Sequence, residues 1–104
     1  MVLCAEEGTQ ALELLSHLGP KVASVCLVSD SKLRDMSGLD LLKRVRGMAL
    51  PIPVKFAFLT GNTQPSIESQ AHASGADAFF VKPWSFDDLI GIARAIARLE
   101  ASPS

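Results

Sequence analysis

Charge of one sign is missing from this chain: 10 basic residues meet 11 acidic ones, a net charge of −1. Broad electrostatic attachment to nucleic acid or to an anionic membrane needs a clustered cationic excess, so the balance argues against both. Long hydrophobic runs are missing too. No stretch approaches the ~20 apolar residues of a membrane-spanning helix. The N-terminus carries no basic segment of the secretory kind, and a soluble, cytoplasmic protein is expected. Cysteine is scarce: Cys4 and Cys26 are too few for a disulfide framework, and their spacing fits no zinc pattern. Both are expected to be small buried hydrophobes in strands. Aromatics are only 6% of the chain, yet 48% of it is apolar and 20% charged, enough to pack a core and too apolar for disorder. At 104 residues there is room for one domain, and neither repeat nor linker divides it. One domain over 1–100 and a disordered tail over 101–104 are expected.

What is present is an alternation. The apolar run Val2–Ala5 reads as a strand. Ala11, Leu14, Leu15 and Leu18 recur at helical spacing from near Thr9 and stop at Gly19-Pro20. Val22–Ser29 is β-branched and nearly uncharged, as in a strand buried on both faces. Leu39, Leu42 and Val45 make the next helical stripe, which Ser37 caps with Asp40 three residues on. Val54–Thr60 is a third strand and Gly61-Asn62-Thr63 a turn. Pro65 opens a short helix that Gly75 ends. Ala78–Val81 is a fourth strand. Ser85 caps a last helix, with Asp87 and Asp88 in its first turn and Leu89, Ile92, Ala93, Ile96 and Leu99 on its inner face. Four strands alternating with four helices predict an α/β fold with a parallel sheet.

Working groups in such sheets gather beyond the C-terminal strand ends. The residues there are Glu6 and Glu7, Asp30, Thr60 and Lys82. Singly, each has an ordinary part to play: Asp30 a turn former, Thr60 a β-branched strand end, Lys82 a solvated lysine, and the two glutamates loop charges. Together, a carboxylate, a hydroxyl and a mobile ammonium suit a phosphoryl group, with Asp30 as nucleophile and Thr60 and Lys82 on the phosphoryl oxygens. His17 and His72 fall on helices away from these ends.

The segments Ala5–Leu15, Val28–Asp30 with Met36–Leu42, Phe58–Gly61 and Gly75–Trp84 resemble receiver domains of two-component response regulators over nearly the whole chain. The resemblance implies a flavodoxin-like fold and a signalling module rather than an enzyme in the usual sense. It implies phosphorelay at Asp30 from a histidine kinase or phosphotransfer protein, with a downstream effector as second partner. It makes Thr60 the switch hydroxyl, Lys82 the phosphate-binding lysine and Phe79 the switch aromatic, although Phe79 also suits an ordinary core ring. A cis bond before Pro83 is implied, as is a Mg²⁺ ligated by Asp30 and by the backbone carbonyl of Lys32.

The departures from the family bear on that metal. The match begins within the family's second strand, so its first strand, first helix and the acidic pair ending that strand are expected to be missing. Ser37 stands for the loop's usual acidic residue, Ser29 for an apolar one, and the loop after Asp30 lacks the usual proline. Val2–Ala5 could pair directly with Val25–Ser29, bringing Glu6 and Glu7 to the place of the acidic pair; alternatively, two chains could exchange elements. Apolar surface left around Leu89, Ile92 and Ile96 predicts a homodimer. Trp84 is expected to shield the edge near Lys82. No output domain is expected after Leu99, so the chain reads as a stand-alone receiver or as part of a larger regulator. The alternative function is a degenerate receiver that docks a partner through the Phe79–Ala97 surface without phosphorylation. An aspartyl-phosphate hydrolase would need a second carboxylate near Asp30 in sequence.

Overall fold

The computed structural model describes residues 1–61 and 64–101. Strands β1 (Val2–Ala5), β2 (Val25–Ser29), β3 (Val54–Thr60) and β4 (Ala78–Val81) alternate with helices α1 (Gly8–Ser16), α2 (Gly38–Gly47), α3 (Pro65–Ala73) and α4 (Phe86–Ala101). All four strands are parallel, in the order β1-β2-β3-β4. The expected α/β alternation is therefore the one found. Direct pairing of the first two strands closes the sheet, with Val2 opposite Cys26 and Ala5 opposite Ser29.

Side-chain alternation along a strand divides the core in two. Val25, Leu27, Phe56 and Phe58 point to the face covered by α1, α2 and α3, where they meet Ala11, Leu15, Leu41, Leu42, Val45 and Ala71. Cys26, Val28 and Ala57 point to the other face, under Ile96 and Leu99 of α4. Because both faces of β2 are covered, all five of its residues are buried, which explains its nearly uncharged sequence. The first face is the deeper. Leu41 and Leu42 are fully buried, each contributing about 1.5–3 kcal/mol of transfer free energy.

Helix ends follow local chemistry. Ser37 Oγ accepts from Asp40 N at 3.0 Å, and Ser85 Oγ from Asp88 N at 3.1 Å. Gly75 follows α3 with φ of 103°, a left-handed conformation that glycine adopts without a Cβ penalty. One cap comes from elsewhere in the chain. Both Asp35 carboxylate oxygens accept from the start of α1, Oδ1 from Gly8 N at 2.7 Å and Oδ2 from Thr9 N at 2.9 Å.

Several boundaries and faces differ from the sequence-based expectation. Residues 22–24 precede β2 instead of forming its start, because strand pairing begins at Val25 with β3 and at Cys26 with β1. Leu14 is 49% exposed, as the buried side of α1 is set by Ala11 and Leu15. On α4, Leu89 is 45% exposed and Ala93 also faces solvent, because this helix meets the sheet through its C-terminal half. Ala101 belongs to α4. Cys4 is exposed on β1, beyond the cover of α4, while Cys26 is buried as expected. Burial raises the Cys26 thiol pKa, so it stays protonated. The expected turn at Asn62-Thr63 and the tail after Ala101 lie outside the described residues.

Candidate functional site

Parallel strands end together, and this register brings three distant residues to one edge. Asp30 follows β2, Thr60 ends β3 and Lys82 follows β4. Lys82 N donates to the Thr60 carbonyl at 2.9 Å, extending the β3–β4 ladder by one rung. That bond holds the lysine backbone beside the site. Its flexible stem does the rest: Nζ donates to Asp30 Oδ2 at 2.7 Å, across 52 residues of sequence. No cis peptide occurs among the described residues, so the expected cis bond before Pro83 is not found. The ladder bond and the reach of the lysine bring its ammonium to the carboxylate across a trans peptide, the lower-energy isomer.

Asp30 collects further donors. Ser31 N donates to Oδ1 at 2.6 Å, Ser31 Oγ lies 3.3 Å from the same oxygen, and the Thr60 side chain also hydrogen-bonds the carboxylate. Partial burial works to raise the Asp30 pKa. The hydrogen bonds from Lys82, Thr60 and the Ser31 amide outweigh it, leaving the carboxyl below its usual range. At neutral pH the group is an anion held by donors, in the form needed for nucleophilic attack. Thr60 is 1% exposed and its hydroxyl lies 2.8 Å from that of Ser31. Ser29, buried just before Asp30, satisfies its hydroxyl on the Asp30 carbonyl at 2.8 Å. Neither Ser31 nor its contact with Thr60 was singled out from the sequence. The signal available was a second hydroxyl next to the strand-end carboxylate.

Phe79 stacks on Phe58 with ring centroids 5.8 Å apart, half-buried on the three-helix side of the sheet. Trp84 is 98% exposed and shields nothing; the turn after β4 directs its ring to solvent. An open cleft of about 410 Å³ lies at the strand ends, lined by Ala5, Glu6, Asp30, Lys32, Leu33 and Arg34. Glu6 thus shares a cleft with Asp30. Glu7 turns to Arg34, 3.5 Å away. Among the described residues, no three His, Cys, Asp or Glu side chains converge as a metal cluster. The donors present fit a hydrated Mg²⁺, which takes one or two carboxylates and keeps its waters.

A parallel α/β sheet with a carboxylate, a hydroxyl and a lysine at successive strand ends is the arrangement that the receiver resemblance implies. Residues 1–94 match the response regulator receiver domain family, and the chain belongs to that family. It is 31% identical over 91 residues to the response regulator protein TmoT of Ectopseudomonas mendocina, covering 88% of this chain and 40% of TmoT. It is 33% identical over 94 residues to the transcriptional regulatory protein TrcR of Mycobacterium tuberculosis, covering 90% of this chain and 34% of TrcR. The chain thus spans well under half the length of these relatives. Among solved structures, the signal receiver domain of an HD domain-containing protein from Pseudomonas fluorescens superposes with a TM-score of 0.67 at 26% identity, over 93% of this chain and 74% of that one. Response regulators work with histidine kinases and downstream effectors; their receiver domains are regulatory and generally bind Mg²⁺ at an acidic pocket. No helix among the described residues is long and apolar enough to cross a membrane.

Proposed function

We propose that this receiver domain takes a phosphoryl group at Asp30 from a phosphohistidine of a partner kinase or phosphotransfer protein. The observation that carries this reading is the Lys82 ammonium on the Asp30 carboxylate at 2.7 Å, with the Thr60 side chain on the same group. An Asp30 oxygen attacks phosphorus. The P–N bond breaks, its electron pair returns to the donor imidazole, which gains a proton, and an acyl phosphate forms. Lys82 swings from the carboxylate to a phosphoryl oxygen, and Thr60 donates to another. Asp30, Glu6 and the Lys32 carbonyl would hold Mg²⁺, which when bound neutralises phosphoryl charge.

The test is intact mass after incubation with acetyl phosphate and Mg²⁺, beside Asp30→Asn. A phosphoryl adduct is expected on the wild type and none on the variant. A folded wild-type protein that gains no mass overturns the reading. Glu6→Ala with Glu7→Ala is expected to abolish metal binding; unchanged affinity would remove these carboxylates from the metal site.

A second reading has its own support. Val81, Trp84, Phe86 and Leu89 are exposed by 43%, 98%, 73% and 45%. Trp84 lines a shallow cleft between β4 and α4 with Val81, Asp87 and Ile92. Such a surface suits homodimerisation or docking of an effector, and in a degenerate receiver it would do so without phosphate.

A further inference from the structure

We propose that Ser31 is a positioning residue, whose hydroxyl holds the Thr60 hydroxyl turned onto the Asp30 carboxylate before any phosphoryl group arrives. The role rests on reading Asp30 as the phosphoacceptor, but the geometry stands apart from that reading. Ser31 is pinned on both sides of its Cα. Its amide donates to Asp30 Oδ1 at 2.6 Å, and its carbonyl accepts from Gly38 N at 2.9 Å. The hydroxyl therefore sits on a rigid arm, and it meets Thr60 Oγ1 at 2.8 Å but Asp30 Oδ1 only at 3.3 Å.

Proton counting orders the bonds. Each hydroxyl has one proton to donate. Either hydroxyl could donate in the 2.8 Å contact, but Thr60 hydrogen-bonds the Asp30 carboxylate, which only accepts, so its proton is committed there and Ser31 donates to Thr60. The reverse chain, Thr60 to Ser31 to Asp30, would close on the 3.3 Å contact and leave Thr60 no proton for its own bond to the carboxylate. Donors in series polarise one another, so the Thr60 donor is strengthened as well as aimed. Thr60 is nearly fully buried at 1% exposure, where a hydroxyl bonded to a fixed protein group has little water to compete with it. A phosphoryl group arriving at Asp30 would then meet a hydroxyl already oriented, with no rotation required at the moment of transfer.

The experiment compares Ser31→Ala and Ser31→Thr with the wild type in two ways. Three-bond couplings from Thr60 Cγ2 to the backbone nitrogen and carbonyl carbon report its χ1 rotamer in the unphosphorylated protein. One rotamer is expected in the wild type, averaged couplings in Ser31→Ala, and one rotamer again in Ser31→Thr. Phosphorylation by acetyl phosphate with Mg²⁺ should slow about fivefold in Ser31→Ala, the worth of one neutral hydrogen bond, and recover in Ser31→Thr. Wild-type couplings in Ser31→Ala overturn the proposal, as does recovery of neither readout in Ser31→Thr. If no variant, wild type included, accepts phosphate, the phosphoacceptor reading fails while the couplings still decide the role of Ser31. Should the alanine variant not fold, Ser31→Cys keeps the volume with a weak donor and is expected to give averaged couplings.

Discussion

Asp35 shows how one side chain can tie two segments together. It caps α1 from the loop that follows Asp30, with two backbone amides and the Thr9 hydroxyl on one carboxylate. Those hydrogen bonds, the Thr9 hydroxyl foremost, lower its pKa to about 2. A folded-state value below the unfolded one of about 3.9 means the contact stabilises fully above that pH and fades as pH falls toward about 2. Asp35→Ala is therefore expected to lower the melting temperature at pH 7, with the gap to wild type closing between about pH 4 and pH 2. A gap constant over that range, read by circular dichroism, would contradict the assigned role. Nothing in the local sequence announces this cap. A helix start without a Ser, Thr, Asp or Asn before it, as at Glu7, was the available hint that the partner comes from elsewhere. Asp30, Thr60 and Lys82 were legible because each stands where a patterned strand runs out; Ser31 was not, because its meaning lies in a contact 29 residues away.

At the scale of elements, the seat of α2 controls the site. Gly38 begins that helix against the strand-end loop, and a Cβ there would lie 2.2 Å from the Asp30 carbonyl oxygen and 2.8 Å from the Phe58 ring. Backbone cannot yield as a side-chain tip can. Gly38→Ala should destabilise the fold by about 2 kcal/mol or more, measured by urea unfolding. It should also slow modification of Asp30, since either the helix or the loop must shift. A stability unchanged within ~0.5 kcal/mol would mean that the helix start relaxes freely. Helix and strand identities followed from periodicity and caps. Which helix face is buried did not always follow: Leu14 fits the apolar stripe of α1 but stands in water, because the position of a helix over the sheet depends on its neighbours.

Across the whole molecule the two faces of the sheet are unequally covered. Three helices close one face, and α4 alone crosses the other, burying none of its residues fully. The exposed Trp84, just before α4, and Phe86 and Leu89 in its first turns are expected to support a homodimer at micromolar concentration. Sedimentation equilibrium checks this, with Leu89→Lys expected to shift the protein to monomer. A wild type that stays monomeric across the concentration range would leave the surface to an effector.

The sequence by itself determined the alternation of four strands and four helices, the parallel sheet and the edge at which functional groups collect. Hydrophobic periodicity, helix caps and glycine stops are local signals, so a linear reading recovers them. Only the tertiary structure decided the direct pairing of β1 with β2, the exposure of Cys4 and Trp84, the cap from Asp35 and the contact of Ser31 with Thr60. Each depends on distances between residues far apart in the chain. Those distances are set by how packed layers meet, and no window of sequence contains them.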